Sequence, residues 1–93
     1  MSIQLSQVFA IAPHHRFQWE EAQESFVILF PEGMVKLNQG AGEILSLVNG
    51  QHSVQQIIDA LKAKFPGADD IDGDILAMLE LALSKRWLSE VAQ

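Results

Sequence analysis

The spacing of hydrophobic residues changes once along this chain, close to Asn38, and that change limits the fold class. Before Asn38, apolar residues alternate with polar ones or form short apolar runs, as β-strands do. After Asn38, they recur three or four positions apart, which is the spacing of helices. We therefore predict an α+β fold in which a three-stranded antiparallel sheet is followed by three helices.

Turn sequences divide the first half into its strands. The predicted strands are residues 16–20 (RFQWE), 25–30 (SFVILF) and 34–37 (MVKL). The first alternates, which predicts that Phe17 and Trp19 share one buried face, whereas the second is apolar on both faces and predicts a central strand. Pro31-Glu32-Gly33 is typical of a tight turn, so neighbouring strands are expected to run antiparallel.

Capping residues mark the starts of the three helices. The predicted N-caps are Asn38, Ser53 (in a capping box with Gln56), and Asp69 or Asp70. Two glycines, Gly40 and Gly42, are expected to weaken the first helix by about 1 kcal/mol each. The third helix should run to about Lys85, after which Trp87 and Leu88 are expected to fold back onto the core.

A chain of 93 residues predicts one domain with a modest core. Residues 1–14 contain apolar side chains without a clear period, and Pro13 marks the end of this segment. We interpret them as an N-terminal arm that packs on the domain, exchanges with a neighbouring copy, or stays mobile. Residues 15–93 are then the single folded domain.

Composition excludes several classes of protein. The chain has no cysteine, which rules out disulfides and thiol nucleophiles and fits a reducing compartment. No apolar run is long enough for a membrane span, and no signal-peptide pattern begins the chain. We therefore expect a cytoplasmic protein that does not bind membranes.

The charge argues against a nucleic-acid partner. The second and third predicted helices are close together in sequence and resemble a helix-turn-helix. Proteins that bind nucleic acid need basic residues to neutralise phosphates, whereas this chain has a net charge of −6, from 12 acidic and 6 basic residues. The first turn of the candidate recognition helix carries Asp70, Asp72 and Asp74, which would repel phosphate. We expect no nucleic acid to bind.

The third helix has an unusually wide apolar surface. On a helical wheel, its apolar residues from Ile71 to Leu83 span roughly 220°, against the roughly 100° that faces one core. An extended peptide that adds as a strand beside this helix would cover the excess. Two alternatives remain: the helix is buried on two sides within its own domain, or the same surface forms a homodimer.

Motifs for metal binding and catalysis are missing. Asp70 to Asp74 suggests a calcium loop, but the sixth and twelfth positions are Ile75 and Leu81, where an EF-hand needs Gly and Glu. The chain also lacks a Gly-x-Ser-x-Gly elbow and a phosphate-binding loop. We therefore expect no catalytic residues, metal or cofactor.

Four segments carry a family resemblance that extends from about Pro13 to Leu88. They are residues 18–23 (QWEEAQ), 31–38 (PEGMVKLN), 43–45 (EIL) and 54–58 (VQQII). They resemble the PqqD family of pyrroloquinoline quinone (PQQ) biosynthesis. The resemblance implies a winged-helix-like domain that recognises ribosomally made peptides. It also implies a chaperone that binds the PQQ precursor peptide and presents it to a radical S-adenosylmethionine (SAM) enzyme, which cross-links a Glu and a Tyr of the peptide.

The resemblance also implies where the peptide binds, between the third strand and the third helix. The positions that it assigns here are Met34, Val35, Lys36, Leu37, Ile75, Met78, Leu81, Ala82 and Lys85. Lys36, Lys85 and Arg86 are expected to meet acidic groups of the peptide. The chain departs from the family pattern at Gly40, where Thr or Ser is common, and at Arg86, where Gly is common.

Overall fold

The computed structural model describes residues 3–68 and 70–91. Within them lie five strands and three helices: β1 (Phe9–Ile11), β2 (Arg16–Glu20), β3 (Ser25–Phe30), β4 (Gly33–Lys36), α1 (Gln39–Leu45), α2 (Val54–Lys64), α3 (Ile71–Ser84) and β5 (Leu88–Glu90). The prediction of an α+β fold with a three-stranded sheet before three helices is confirmed. None of the helices in this part of the chain is long and apolar enough to cross a membrane.

The antiparallel three-stranded sheet has the order β2-β3-β4, so β3 is the central strand, as predicted. Ile28 of β3 pairs with Phe17 on one side and with Val35 on the other. Val27 and Ile28 are both fully buried, although consecutive strand residues point to opposite faces. The apolar run of residues 25–30 is therefore explained by burial on both faces at the middle of the strand.

The prediction that Trp19 packs in the core is wrong. Trp19 lies opposite Phe26, and its ring meets the Phe26 ring edge-on with centroids 5.2 Å apart, yet the residue is 47% exposed. Alternation along β2 identifies the face on which a side chain lies but not how far the helices cover that face. Trp19 lies next to the β2–β3 hairpin, where the helices leave about half of its surface exposed.

A second, two-stranded sheet joins the two ends of the chain. β1 pairs antiparallel with β5, so that Ala10 lies opposite Ser89, and an isolated bridge joins Val8 to Ser53. Phe9 is only 2% exposed. Residues 3–14 of the predicted arm therefore pack on the chain's own domain, whereas residues 1 and 2 lie outside the described part. The division of the chain at residue 14 stays a prediction.

Two helix starts agree with the predicted caps, and the third differs. Asn38 Oδ1 accepts a hydrogen bond from the Ala41 backbone N–H at 2.7 Å, and Ser53 forms the predicted capping box with Gln56. Asp70 occupies the N-cap position of α3, but its side chain makes no capping hydrogen bond. Its left-handed backbone (φ 59°) departs from the extended conformation of a side-chain cap. Asp69, the other predicted cap, lies outside the described residues.

The end of α3 is a Schellman motif built on Arg86. The Arg86 N–H donates to the Leu83 carbonyl at 3.0 Å, and the Trp87 N–H donates to the Ala82 carbonyl at 2.9 Å. Arg86 takes a left-handed backbone with φ 64°, where Gly is the usual residue. The motif turns the chain back sharply, so that Trp87 and Leu88 are buried, as predicted.

Replacing Arg86 with Gly should raise the free energy of unfolding by about 0.5–1 kcal/mol. Gly adopts the left-handed conformation without the cost borne by Arg, and its greater freedom in the unfolded chain offsets part of the gain. Urea denaturation would measure the change. Lys85→Gly is the matched control, because Lys85 has an ordinary helical φ of −86° and should lose a similar amount of stability. Equal destabilisation by both variants would contradict the assigned strain.

Candidate functional site

β4 presents a free backbone edge. Within the described residues it pairs only with β3, and the Leu37 N–H donates to the Phe26 carbonyl at 2.9 Å. Hydrogen-bonding directions alternate along an antiparallel strand, so Leu37, Val35 and Gly33 bond towards β3. The N–H and C=O groups of Met34 and Lys36 therefore point away from the sheet. This edge offers two donors and two acceptors to an added strand.

A groove of about 640 Å³ lies between the β3–β4 hairpin and the end of α3. Its lining residues are His15, Phe30, Glu32, Val35, Lys85, Arg86 and Trp87. Phe30, Val35 and Trp87 give it an apolar surface, whereas Lys85 and Arg86 contribute two positive charges and Glu32 one negative charge. The His15 and Phe30 rings contact each other with centroids 5.8 Å apart. The groove can therefore hold apolar side chains beside a backbone that pairs with β4.

The predicted peptide-binding residues divide into two groups. Six are at least partly accessible: Met34, Val35, Lys36, Met78, Leu81 and Lys85. Leu37, Ile75 and Ala82 are buried in the core, the last two completely. Their side chains support the sheet and α3 from within, and none of the three lines the groove beside β4.

Only some of the six accessible residues line the groove. Val35 and Lys85 line it, whereas Met78 and Leu81 do not. Sequence reasoning did not assign His15, Phe30 or Trp87 to the site. The predicted fold-back after α3 was the one signal available for Trp87, because it returns this residue towards the sheet.

Charge distinguishes the groove from the helices. Lys62 pairs with Asp72 at 3.1 Å, and Lys64 pairs with Glu43 at 2.6 Å. Among the described residues, no ion pair involves the other basic side chains: Arg16, Lys36, Lys85 and Arg86. The basic groups on β4 and at the end of α3 can therefore meet an acidic ligand without breaking an existing ion pair.

No group of three or more His, Asp or Glu side chains within residues 3–68 and 70–91 is arranged to hold a metal ion. The features brought together at this site are backbone hydrogen-bonding groups, an apolar surface and two cations. These features are typical of a surface to which an extended peptide adds as a strand.

A family described as "Coenzyme PQQ synthesis protein D (PqqD)" matches residues 25–88, which run from the start of β3 to the start of β5. The match contains β4, α3 and most of the groove. The chain belongs to the PqqD family.

Curated relatives of the PqqD family match almost the whole chain. A "PqqA binding protein" of Methylococcus capsulatus (strain Bath) is 45% identical over 91 residues, covering 98% of this chain and 97% of the relative. A protein with the same description from Pseudomonas entomophila (strain L48) is 46% identical over 89 residues, covering 96% and 98%.

Solved structures agree on the fold. The PqqD truncation of Methylobacterium extorquens PqqCD, determined by solution NMR, has a TM-score of 0.77, 30% identity and 95% coverage of both chains. It is described as a functional, stand-alone recognition element for ribosomally synthesised and post-translationally modified peptides. The heterocyclase TruD matches 92% of this chain with 12% of its own, at a TM-score of 0.70 and 23% identity, which concerns the fold alone.

Proposed function

We propose that this protein is a peptide chaperone of PQQ biosynthesis that binds the PqqA precursor peptide and presents it to a radical SAM enzyme. Its role is binding, with the chemistry left to the enzyme. The observation that carries the proposal is the open edge of β4 next to a groove with an apolar surface and a basic rim. The curated relatives described as PqqA binding proteins support the identity of the ligand.

The peptide binds by adding a strand to the sheet. The outward N–H and C=O groups of Met34 and Lys36 hydrogen-bond to its backbone, which gives affinity that depends little on sequence. Alternate side chains of the peptide point into the groove and contact Phe30, Val35 and Trp87. Selectivity comes from the fit of these side chains.

Lys85 and Arg86 select an acidic group near one end of the bound segment. The whole chain carries a net charge of −6, so an acidic peptide is repelled by most of its surface and attracted at this rim. The contribution of these cations should weaken as salt is added, because they are exposed.

Presentation requires that the bound segment leave the rest of the peptide free. A groove open to solvent holds one stretch in extended form, while the residues to be modified remain outside it and can enter the enzyme. Because the peptide is ribosomally made, we place this step in the cytoplasm.

The two tryptophans of the chain provide an internally controlled test. Synthetic PqqA peptide is titrated into the ¹⁵N-labelled protein, and the indole N–H signals are followed by NMR. Trp87 lines the groove and Trp19 does not, so the Trp87 signal and the backbone amides of Met34 and Lys36 should shift. The Trp19 signal should stay within experimental error.

Sedimentation of the same samples is the control, because a free strand edge can also pair with a second copy of the chain. A monomer that binds peptide with shifts at Trp87 supports the proposal. Saturation with peptide that leaves β4 and Trp87 unmoved would contradict the assigned site. Shifts that depend on protein concentration rather than on peptide would indicate dimerisation at this edge.

A further inference from the structure

Part of the peptide groove is formed by the turn that joins the N-terminal arm to β2. His15 lies in this turn, directly before the first residue of β2, and its side chain lines the groove. The family match begins at Ser25, so His15 lies outside the part of the chain that the family describes. What this side chain contributes to the groove therefore follows from its own surroundings.

Backbone hydrogen bonds hold His15 in place. The His15 N–H donates to the Ala12 carbonyl at 3.2 Å, which closes a β-turn with Pro13 second and His14 third. His14 has a positive φ of 66°, as the third residue of a type II turn does. The Ala12 N–H donates to the carbonyl of Trp87, another groove residue, at 2.8 Å. The turn is therefore attached to the groove that His15 lines.

The His15 ring has one nitrogen in use and one available. Its Nδ1 lies 2.9 Å from the Pro13 carbonyl oxygen, which can only accept, so Nδ1 carries a proton. This is the one hydrogen bond of the His15 side chain within the described residues. Nε2 is thus left for a ligand, and it accepts a hydrogen bond when the ring is neutral but donates one when the ring is protonated.

An open path leads from the free edge of β4 to His15. Phe30 pairs with Gly33 and its ring contacts the His15 ring, so the order across this end of the sheet is His15, Phe30, Gly33. Gly33 shares a face with Val35, which lines the groove. A Cβ atom added to Gly33 would meet no other part of the chain within 4 Å. Because neighbouring strands lie about 4.8 Å apart, a long side chain of a strand added to β4 can extend over Gly33 towards His15.

The charges around His15 favour an acidic side chain in this space. The charged and titratable groups near it are Glu32, Lys85 and Arg86 in the groove and, beside it in sequence, His14 and Arg16. The three groove residues sum to one positive charge, which attracts a carboxylate. A proton on the His15 ring would add a charge-assisted hydrogen bond from Nε2 to that carboxylate.

We infer that His15 is a specificity-determining residue of the groove, which donates a hydrogen bond from Nε2 to a long acidic side chain of the peptide. The inference rests on the proposed function, because it requires a peptide strand on β4. Histidine gains its positive charge between about pH 8 and pH 5, whereas peptide carboxyl groups stay ionised over most of this range. Binding of the carboxylate favours the protonated ring, and by linkage the protonated ring favours binding. Peptide affinity therefore rises as the pH falls from about 8 to about 6.

The three histidines of the chain provide internal controls. Their imidazole Cε1–H signals are followed by ¹H–¹³C NMR while PqqA peptide is added to the labelled protein at about pH 6. The His15 signal should shift, whereas those of His14 and His52, which do not line the groove, should move much less. An unmoved His15 signal in protein saturated with peptide would overturn the inference.

The pH profile of affinity separates a direct contact from a structural role. In calorimetry the peptide should bind the unaltered protein about fivefold more tightly at pH 6 than at pH 8. His15→Gln keeps a polar side chain that cannot take up a proton, and it should lose this gain. His14→Gly is the matched control, because it removes the neighbouring imidazole, suits the positive φ of the turn and should retain the gain. An equal gain in folded His15→Gln and the unaltered protein would refute the contact.

Peptide variants identify the acidic group. Each acidic residue of PqqA is replaced in turn by its amide, and one replacement should abolish the gain at pH 6. If every variant keeps the gain, the inference fails. If the peptide shifts the amides of Met34 and Lys36 but its affinity does not change with pH, the inference fails and the proposed function stands. A peptide that does not bind, or that binds without moving β4, overturns both.

Discussion

Lys36→Pro should weaken PqqA peptide binding by at least about tenfold, whereas Lys36→Ala should weaken it by only about two- to threefold. Both substitutions remove the ammonium group. Only proline also removes the backbone N–H that points away from β3, and its ring occupies the space of an incoming strand. The difference between the two variants therefore measures strand addition separately from charge.

Position 36 suits proline because the β3–β4 ladder does not use its N–H. Proline is tolerated on an edge strand when its nitrogen faces solvent. At Val35 the same change would remove a bond to β3 and damage the sheet itself. Isothermal titration with the peptide would give both affinities, and thermal melting would show whether the variants remain folded. Equal affinities for folded Lys36→Pro and Lys36→Ala would contradict strand addition at this edge.

This distinction between neighbouring positions could not be obtained from the sequence. The short segment of residues 34–37 that follows the tight turn is predicted to be a strand, and the two preceding strands place it at the side of the sheet. Alternate residues of β4 direct their backbone N–H and C=O groups towards β3, and the others direct them outwards. The hydrogen bond from the Leu37 N–H to the Phe26 carbonyl shows which residues form each set. The pattern of side chains in the sequence does not determine which residues bond to β3.

The missed elements have a similar explanation. β1 and β5 contain three residues each, which is too short for a period to be recognised. Their pairing joins positions about eighty residues apart in sequence, as in the pair of Phe9 with Glu90. The exposure of Trp19 was missed because alternation says which face a residue occupies but not where the overlying helix ends.

The wide apolar arc predicted for α3 divides in the structure into residues with different degrees of burial. Ile75, Leu79 and Ala82 are fully buried, whereas Leu81 is 46% exposed. Half-buried residues such as Leu76 pack against the edge of the core. Much of the excess width is thus explained by the chain's own core. The groove uses the end of the helix and the turn that follows it, rather than the exposed apolar positions along its length.

Gly42→Ala should lower the free energy of unfolding by about 1–2 kcal/mol, although alanine normally favours a helix. A Cβ atom at this position would lie 2.7 Å from Cδ2 of the Phe26 ring and 3.3 Å from its Cβ and Cγ. The Phe26 ring has little room to move away, because it stacks on the Phe17 ring with centroids 4.8 Å apart and contacts the Trp19 ring edge-on. The melting temperature should fall by about 5–10 °C.

Gly40→Ala is the matched control, since it adds the same methyl group to the same helix. A Cβ there would meet only Asn38 Oδ1, at an ordinary 3.6 Å, so the variant should gain up to about 1 kcal/mol from helix propensity. If both glycine variants were stabilised, close packing of α1 on Phe26 would be refuted. A double-mutant cycle assigns the cause: in a Phe26→Leu background, which removes the ring, Gly42→Ala should lose most of its destabilising effect. Persistence of the full effect in that background would place the strain in the helix backbone rather than at the ring.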